Sequence, residues 1–460
     1  MSEHGACLES IATGLEEAAR TLDPAQARRF RTGMTTMRVL FACFAAKSHL
    51  YEMVPLAWAL RTAGHEVRVA SQPDLADAIT SAGLAAVPVG EVLELDRQMQ
   101  EDTSWRDDDS VAELDLAENR PDKLTLDYVH RVFDWHREVV FGNLSAPAVL
   151  DDAVRFALDW RPDLVIWDHM SFFGPVAARA AGAAHARFLL GQDFIGRMRG
   201  HFTRLRAEQP GAVEDPMEQW LGPHVRAHGG EFDEDLVVGQ WSIDCSLPWL
   251  RLPLELDHVP LRFLPYHGPV AAPEWLPERP DRPRVCLTAG LGGREVLGED
   301  WIPFQAVFDA VADLDVEVVA TLSAEQLGSA TPPDNVRVFD FFPLNLLLPS
   351  CSAIIHHGGG GAFGTALMHG VPQLVVPSPM WWDAVTKAED LAERGAALVL
   401  PPERLTAETV RAALQRLLDD PSFRAGAARV RAEFLATPSP NAVVPRLEEL
   451  TAKHRVRQDA

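Results

Sequence analysis

Cysteine is scarce in this chain, lysine is scarcer, and long apolar runs and the common phosphate-loop signatures are missing. The five cysteines (Cys7, Cys43, Cys245, Cys286 and Cys351) are scattered, odd in number and without metal-ligand spacing. Reduced, mostly buried thiols are the expectation. Only four of the 42 basic residues are lysine, and against 66 acidic residues the formal net charge is −24. Such a balance speaks against nucleic acid or an anionic membrane surface as a partner. It also means that an anionic ligand must be held by local dipoles and a few cations. No signal peptide and no uninterrupted run of 18 apolar residues occurs, so the expected compartment is cytoplasmic. There is no Gly-x-x-x-x-Gly-Lys-Ser/Thr loop, and no Gly-x-Gly-x-x-Gly opens the first strand–helix unit.

The 460 residues, 47% hydrophobic with 34 prolines and 31 glycines, suit two globular domains of about 200 residues each. Residues 1–36 are read as a leader, expected to be dispensable or disordered, with Met34 or Met37 as an equally good start. From residue 37 strands and helices alternate. Val39 to Phe44 reads as a buried strand, Ala45 to His49 as a loop and Leu50 to Thr62 as a helix, with further strands at Val67–Ala70 and Leu84–Val89. This pattern predicts a parallel, doubly wound α/β sheet. Residues 91–145 break the rhythm and read as helices and loops over the acceptor side. Asp107 to Asp109 there fit a solvated acidic loop better than a metal-binding Asp-x-Asp, because no strand precedes them.

Strands resume at Leu164–Asp168 and Ala186–Leu190. Six prolines between Pro265 and Pro283 mark a linker over 265–283. It separates an N-terminal domain (37–264) from a second domain (284–435) with strands at Val285–Thr288, Val316–Ala320, Val336–Phe339, Ala353–Ile355 and Leu374–Val376. The chain beyond Pro421 reads as helical to about Lys453, broken near Pro438 and Pro440, with 436–460 as a tail.

The stretch Ile354-Ile355-His356-His357-Gly358-Gly359-Gly360-Gly361-Ala362-Phe363-Gly364-Thr365 reads as a strand, a glycine loop and a helix N-terminus. Free N–H groups and the positive end of a helix dipole suit a phosphate. His357 adds a donor, and a cation if protonated. His49 lies in the loop between the first strand and the first helix, and Asp168 ends another strand at the same carboxyl edge, where ligands bind in such folds. A neutral imidazole can serve as a base, and a carboxylate can fix its tautomer. A helix-capping or surface histidine is the alternative for His49, and Asp193 competes with Asp168.

His356-His357-Gly358-Gly359, Gly370-Val371-Pro372-Gln373, Trp381-Trp382-Asp383 and Arg394-Gly395-Ala396 together resemble the donor-binding signature of GT-B glycosyltransferases. The closer resemblance is to actinobacterial enzymes that attach deoxysugars to macrolide and aromatic polyketide antibiotics. It runs from Met37 onward and includes Ala46-Lys47-Ser48-His49-Leu50, Gly64-His65-Glu66-Val67 and Val238-Gly239-Gln240-Trp241. It implies two facing Rossmann-like domains, acceptor on the first and nucleotide sugar on the second, with the C-terminal helix crossing back.

The implied reaction is an inverting, metal-independent transfer of a deoxyhexose, open to an aminosugar, from a TDP-sugar to a polyketide hydroxyl, with no cofactor. His49 and Asp168 align with the family's catalytic dyad, and His357 with its phosphate-contacting histidine. Gly359, Gly360, Gly361 and Ala362 would contact the diphosphate. Ala362 stands where Ser or Thr is usual, and Gly360 where Ala or Pro is common. Phe341 aligns with the aromatic that stacks on the base; a core phenylalanine is the alternative, since Phe339, Phe341 and Phe342 cannot all face the cleft. Thr365 replaces the Glu that grips ribose hydroxyls in UDP-sugar enzymes, which fits TDP, whose sugar lacks the 2′-OH. Trp382-Asp383-Ala384 replaces an Asp-Gln pair, leaving Asp383 for a hydroxyl or an amino group. Arg294 is a candidate for the diphosphate, with an exposed arginine as the equal alternative, and Asp193, Phe133 and Phe172 are candidates for the acceptor, with a core role equally open to the aromatics. The resemblance also raises a helper protein like a haem-less cytochrome monooxygenase, and leaves a homodimer open. A GT-B sugar-nucleotide epimerase and a non-catalytic binding or scaffold protein are the rival readings.

Overall fold

Apolar runs flanked by glycine and proline form strands in both halves of the chain. The computed structural model describes residues 36–95, 97–98, 114–209, 211, 213–271, 280–290, 292, 302–378 and 381–456. In the first half the strands are β1 (Arg38–Ala42), β2 (Glu66–Ser71), β3 (Ala85–Pro88), β4 (Leu164–Asp168), β5 (Ala184–Leu189), β6 (Trp241–Asp244) and β7 (His258–Pro260). The second half supplies β8 (Arg284–Thr288), β9 (Glu317–Thr321), β10 (Val336–Phe339), β11 (Ala353–His356), β12 (Gln373–Val375) and β13 (Ala397–Val399). They build two sheets, ordered β3-β2-β1-β4-β5-β6-β7 and β10-β9-β8-β11-β12-β13. Every ladder is parallel. The central strands β4 and β8 are buried along their whole length, as expected where helices cover both faces of a parallel sheet.

Each sheet reverses its order beside its first strand, between β1 and β4 and between β8 and β11. A crevice opens at that point beyond the carboxyl ends of the strands. Helix α1 (Lys47–Thr62) leaves the end of β1 after an extended Ala46. It begins three residues before the predicted Leu50, so His49 lies in its first turn and not in a loop. The excursion contributes α2 (Leu126–Trp135), capped by Thr125 accepting from the Tyr128 N–H, and runs on through a π-helical turn, His136–Phe141. The N-terminal domain continues with α3 (Pro147–Trp160), α4 (Phe173–Ala181) and α5 (Phe194–Glu208). The second contains α6 (Gly360–His369), α7 (Ala384–Glu393) and α8 (Pro421–Ala436).

The last helix, α9 (Pro440–His454), returns to the first domain. Val443, Val444, Leu447 and Leu450 join the core beside Val39, Phe41 and Leu60. His65 fixes the arrangement: its Nε2 lies 2.9 Å from Glu448 Oε1, and its Nδ1 accepts from the Met37 N–H at 3.2 Å. The described parts of the linker, 265–271 and 280–283, form no strand or helix. Strands β6, β7 and β13 were absent from the sequence reading; they are short, and β6 buries Ser242 and Asp244. Residues 1–35 of the leader, the acidic run Asp107 to Asp109 and Arg294 lie outside the described residues. Among the described residues no helix is long and apolar enough to cross a membrane.

Candidate functional site

At the switch point of the first sheet Ala42 of β1 pairs with Trp167 of β4, so the residues that follow each strand converge. His49 Nδ1 lies 2.7 Å from Asp168 Oδ2. Asp168 Oδ1 accepts the Met170 N–H at 3.0 Å. Burial opposes a charge on Asp168, but His49, His169 and these hydrogen bonds outweigh it and hold the carboxyl below its ordinary value. An ionised Asp168 accepts, so His49 Nδ1 carries the hydrogen and Nε2 keeps its lone pair. No hydrogen bond to Nε2 is present among the described residues. The arrangement is that of an oriented general base.

His169, which sequence reasoning missed, completes this corner. Its ring stacks on His49 with centroids 6.1 Å apart and 16° between planes. Its Nδ1 is 3.8 Å from Asp168 Oδ2 and is buried without a hydrogen bond. Burial lowers its pKa, favouring the neutral ring. Only its place next to Asp168 could have signalled it.

The second sheet repeats the geometry between β8 and β11. His356 is structural: its Nε2 donates to Gln373 Oε1 at 2.8 Å and its Nδ1 accepts the Gly358 N–H at 3.0 Å. His357 is buried with its ring free of hydrogen bonds among the described residues. Burial, helped by His356 and Lys387, pushes it down to about 3. It is therefore a neutral donor at pH 7, not a cation. A Cβ on Gly290 would come within 2.8 Å of its Cε1, and one on Gly359 within 2.7 Å of its Nε2. Glycine at both positions lets the backbone close on the imidazole, and at Gly290 it also supplies a φ of +70°.

Helix α6 starts after Gly359 with no side-chain cap. The N–H groups of Gly360, Gly361 and Ala362 find no partner among the described residues, so they and the helix dipole form a cradle for an anion. Thr365 is wholly buried, and its Oγ1 donates to Gly361 O at 2.6 Å. Ala362 packs into the core beside Phe342 and Leu347. Of the three neighbouring phenylalanines, Phe341 is the exposed one at 39%, whereas Phe342 is buried with its ring 5.5 Å from Phe339. An open ring at that edge can stack on a base.

The two halves meet across an open cleft whose walls include Glu52, Gly191, Gln192, Gly360, Asp383 and Lys387. Lys387 Nζ lies 2.7 Å from Asp383 Oδ1. The Thr386 hydroxyl donates to Gln192 Oε1 across the boundary, and Gln192 Nε2 donates to Leu250 O at 2.9 Å. Sequence reading missed Glu52, Gln192 and Lys387, since single polar residues on helices and loops look like solvated surface.

Three acceptor candidates are placed differently from expectation. Phe133 and Phe172 are wholly buried in the first domain's core, between the sheet and α2, α4 and α5. Neither offers a face to a ligand, because an aromatic-rich segment packs its rings inward before it lines a cleft. Asp193 caps α5, accepting the Gly196 N–H at 2.8 Å, and pairs with the buried Arg187. That work holds the loop after β5.

Comparison with known proteins agrees with this geometry. Residues 58–290 match the N-terminal domain of the erythromycin biosynthesis protein CIII-like family, and residues 305–450 match its C-terminal domain. An aclacinomycin-T 2-deoxy-L-fucose transferase of Streptomyces galilaeus is 51% identical over 428 residues, 91% of this chain and 97% of that protein. A tylactone mycaminosyltransferase of Streptomyces fradiae is 45% identical over 92% of this chain and 94% of its own. The crystal structure of glycosyltransferase VinC in complex with dTDP superposes with a TM-score of 0.82 at 46% identity, covering 91% of this chain and all of that one. The chain belongs to the erythromycin biosynthesis protein CIII-like family and is a glycosyltransferase of the GT-B fold.

Proposed function

We propose that the chain moves a deoxyhexose from a TDP-sugar to a hydroxyl of a polyketide aglycone, in one displacement with inversion. The observation that carries this reading is the 2.7 Å pairing of His49 Nδ1 with Asp168, which leaves Nε2 as a base at the crevice facing the anion cradle of α6. The acceptor O–H gives its proton to His49 Nε2 while its oxygen bonds to the anomeric carbon. The bond from that carbon to the diphosphate breaks, and TDP leaves. Asp168 stabilises the imidazolium. The cradle N–H groups and His357 stabilise charge on the leaving diphosphate, where preorganised donors are worth most. The reading assigns that work to these groups and not to a metal.

TDP is favoured over UDP because Thr365 spends its hydroxyl on Gly361 O, so no carboxylate waits for a ribose 2′-OH. The reading also agrees with the 2-deoxy-L-fucose, aclacinomycin-T and tylactone that the relatives are named for, and with the dTDP bound to VinC. The test is product analysis with purified protein, a TDP-6-deoxyhexose and an aromatic or macrolide aglycone. Glycoside with inverted anomeric configuration, lost in His49→Ala, supports the reading. Donor conversion without aglycone would point to an epimerase, and an unchanged His49→Ala would sink the base. Full turnover by the chain alone would remove the helper protein expected from the resemblance.

A further inference from the structure

Glu52 has no part in the reaction described above, yet it stands in the middle of the donor cleft. It lies one turn beyond His49 on α1, on the same face, and points across the boundary at the start of α6. A Cβ on Gly360 would come within 2.9 Å of its Oε1. The contact is mirrored from the other domain: a Cβ on Gly191 would come within 2.2 Å of Asp383 Oδ2. Two carboxylates, one from each domain, thus sit against glycines of the opposite domain and line one cleft.

Their electrostatic positions differ. Asp383 is answered by Lys387 at 2.7 Å. Glu52 has no hydrogen bond or ion pair among the described residues. The charged groups that act on it are Lys387, already engaged, and the carboxylates of Asp383 and Asp168. Burial, offset in part by Lys387 and reinforced by the two carboxylates, pushes it up to about 8. A carboxyl raised to that value is mostly protonated at neutral pH and adds no charge against the diphosphate; a ligand cation placed beside it would draw its proton off and pair with the carboxylate. An uncharged hexose offers Glu52 only neutral hydroxyl hydrogen bonds, without the charge-assisted pairing that an ammonium makes.

We propose that Glu52 is the specificity-determining residue for the sugar, an ammonium subsite that selects a nucleotide donor whose deoxyhexose carries a protonated amino group. The inference rests on the TDP-sugar reading of the same cleft. Glu52 pairs with the ammonium, Asp383 and Lys387 frame it, and the Gly360–Ala362 cradle keeps the diphosphate.

The experiment is calorimetric titration with three probes: TDP, a TDP-aminodeoxyhexose, and its twin with a hydroxyl in place of the amine. Wild-type protein, Glu52→Gln and Glu52→Asp are compared. The inference predicts that wild type binds the amino donor about tenfold more tightly than its twin, as a charge-assisted pair allows. Glu52→Gln erases that preference while still binding TDP, which also shows that the variant is folded, and Glu52→Asp keeps part of it. Equal affinity of wild type for the two sugars overturns the inference, as does a Glu52→Gln effect of the same size on both. Binding of neither TDP nor either sugar by wild type would overturn the donor reading itself, and the subsite with it.

Discussion

Gly191 and Asp383 approach so closely across the cleft that a Cβ on Gly191 would lie 2.2 Å from Asp383 Oδ2. Asp383 cannot simply retreat, because its other oxygen is held by Lys387 at 2.7 Å. Gly191→Ala therefore displaces the carboxylate or props the domains apart. The expected outcome is a KM for the sugar donor raised about tenfold, with a loss of stability within about 1 kcal/mol. Steady-state kinetics and thermal melting read the two effects separately.

Asp168 is the orienter in the proposed chemistry. Asp168→Asn preserves its shape but can present an N–H to His49 Nδ1, turning the ring's hydrogen to Nε2. The rate of transfer should fall about 10²–10⁴-fold, while TDP affinity stays within about twofold. Because the folded-state pKa of Asp168 is lowered, its contribution to stability is present at neutral pH. It is lost as the pH falls through that lowered value, below the usual carboxylate range.

Four buried histidines set a second pH dependence. Burial pushes His136 and His356 down to about 4, and His185 and His357 down to about 3. A depressed folded-state pKa means that the unfolded chain takes up protons first. The stability these rings confer is complete above the ordinary histidine value near 6.5 and declines as the pH drops below it. Each should cost on the order of 1–2 kcal/mol by pH 5, so urea unfolding should show a midpoint falling steadily from pH 7 to pH 5. His185→Gln should flatten that slope.

Gly426 of α8 tests the packing of the second domain. A Cβ there would sit 2.1 Å from Gly395 O, a backbone atom that cannot swing away. Gly426→Ala should destabilise by about 2–4 kcal/mol despite the better helix propensity of alanine, measured by chemical denaturation.

The sequence disclosed those features whose signal is local. Leu164–Asp168 was read with the bounds the structure gives it, because five apolar or strand-ending residues in a row have few other uses. The glycine loop, the helix after it and the convergence of His49 with Asp168 were legible because each lies at the end of a buried strand. Phe133 and Phe172 were misplaced because aromatic content does not distinguish core from cleft. Glu52 was invisible because it is one polar residue on a helix and what it faces comes from the other domain, and Lys387 because a pair with Asp383 four residues away reads as solvated surface. The His65–Glu448 link was hidden for the same reason, since its partners lie near opposite ends of the chain.

The donor site is the centre of the account, and titration with TDP and UDP beside a His357→Ala variant tests it most directly. His357 is predicted to act as a neutral N–H donor to the diphosphate, aimed by Gly290 and Gly359. TDP should bind more tightly than UDP, and His357→Ala should weaken TDP by about tenfold. UDP binding as tightly as TDP, or a His357→Ala variant that binds TDP like wild type, would contradict it.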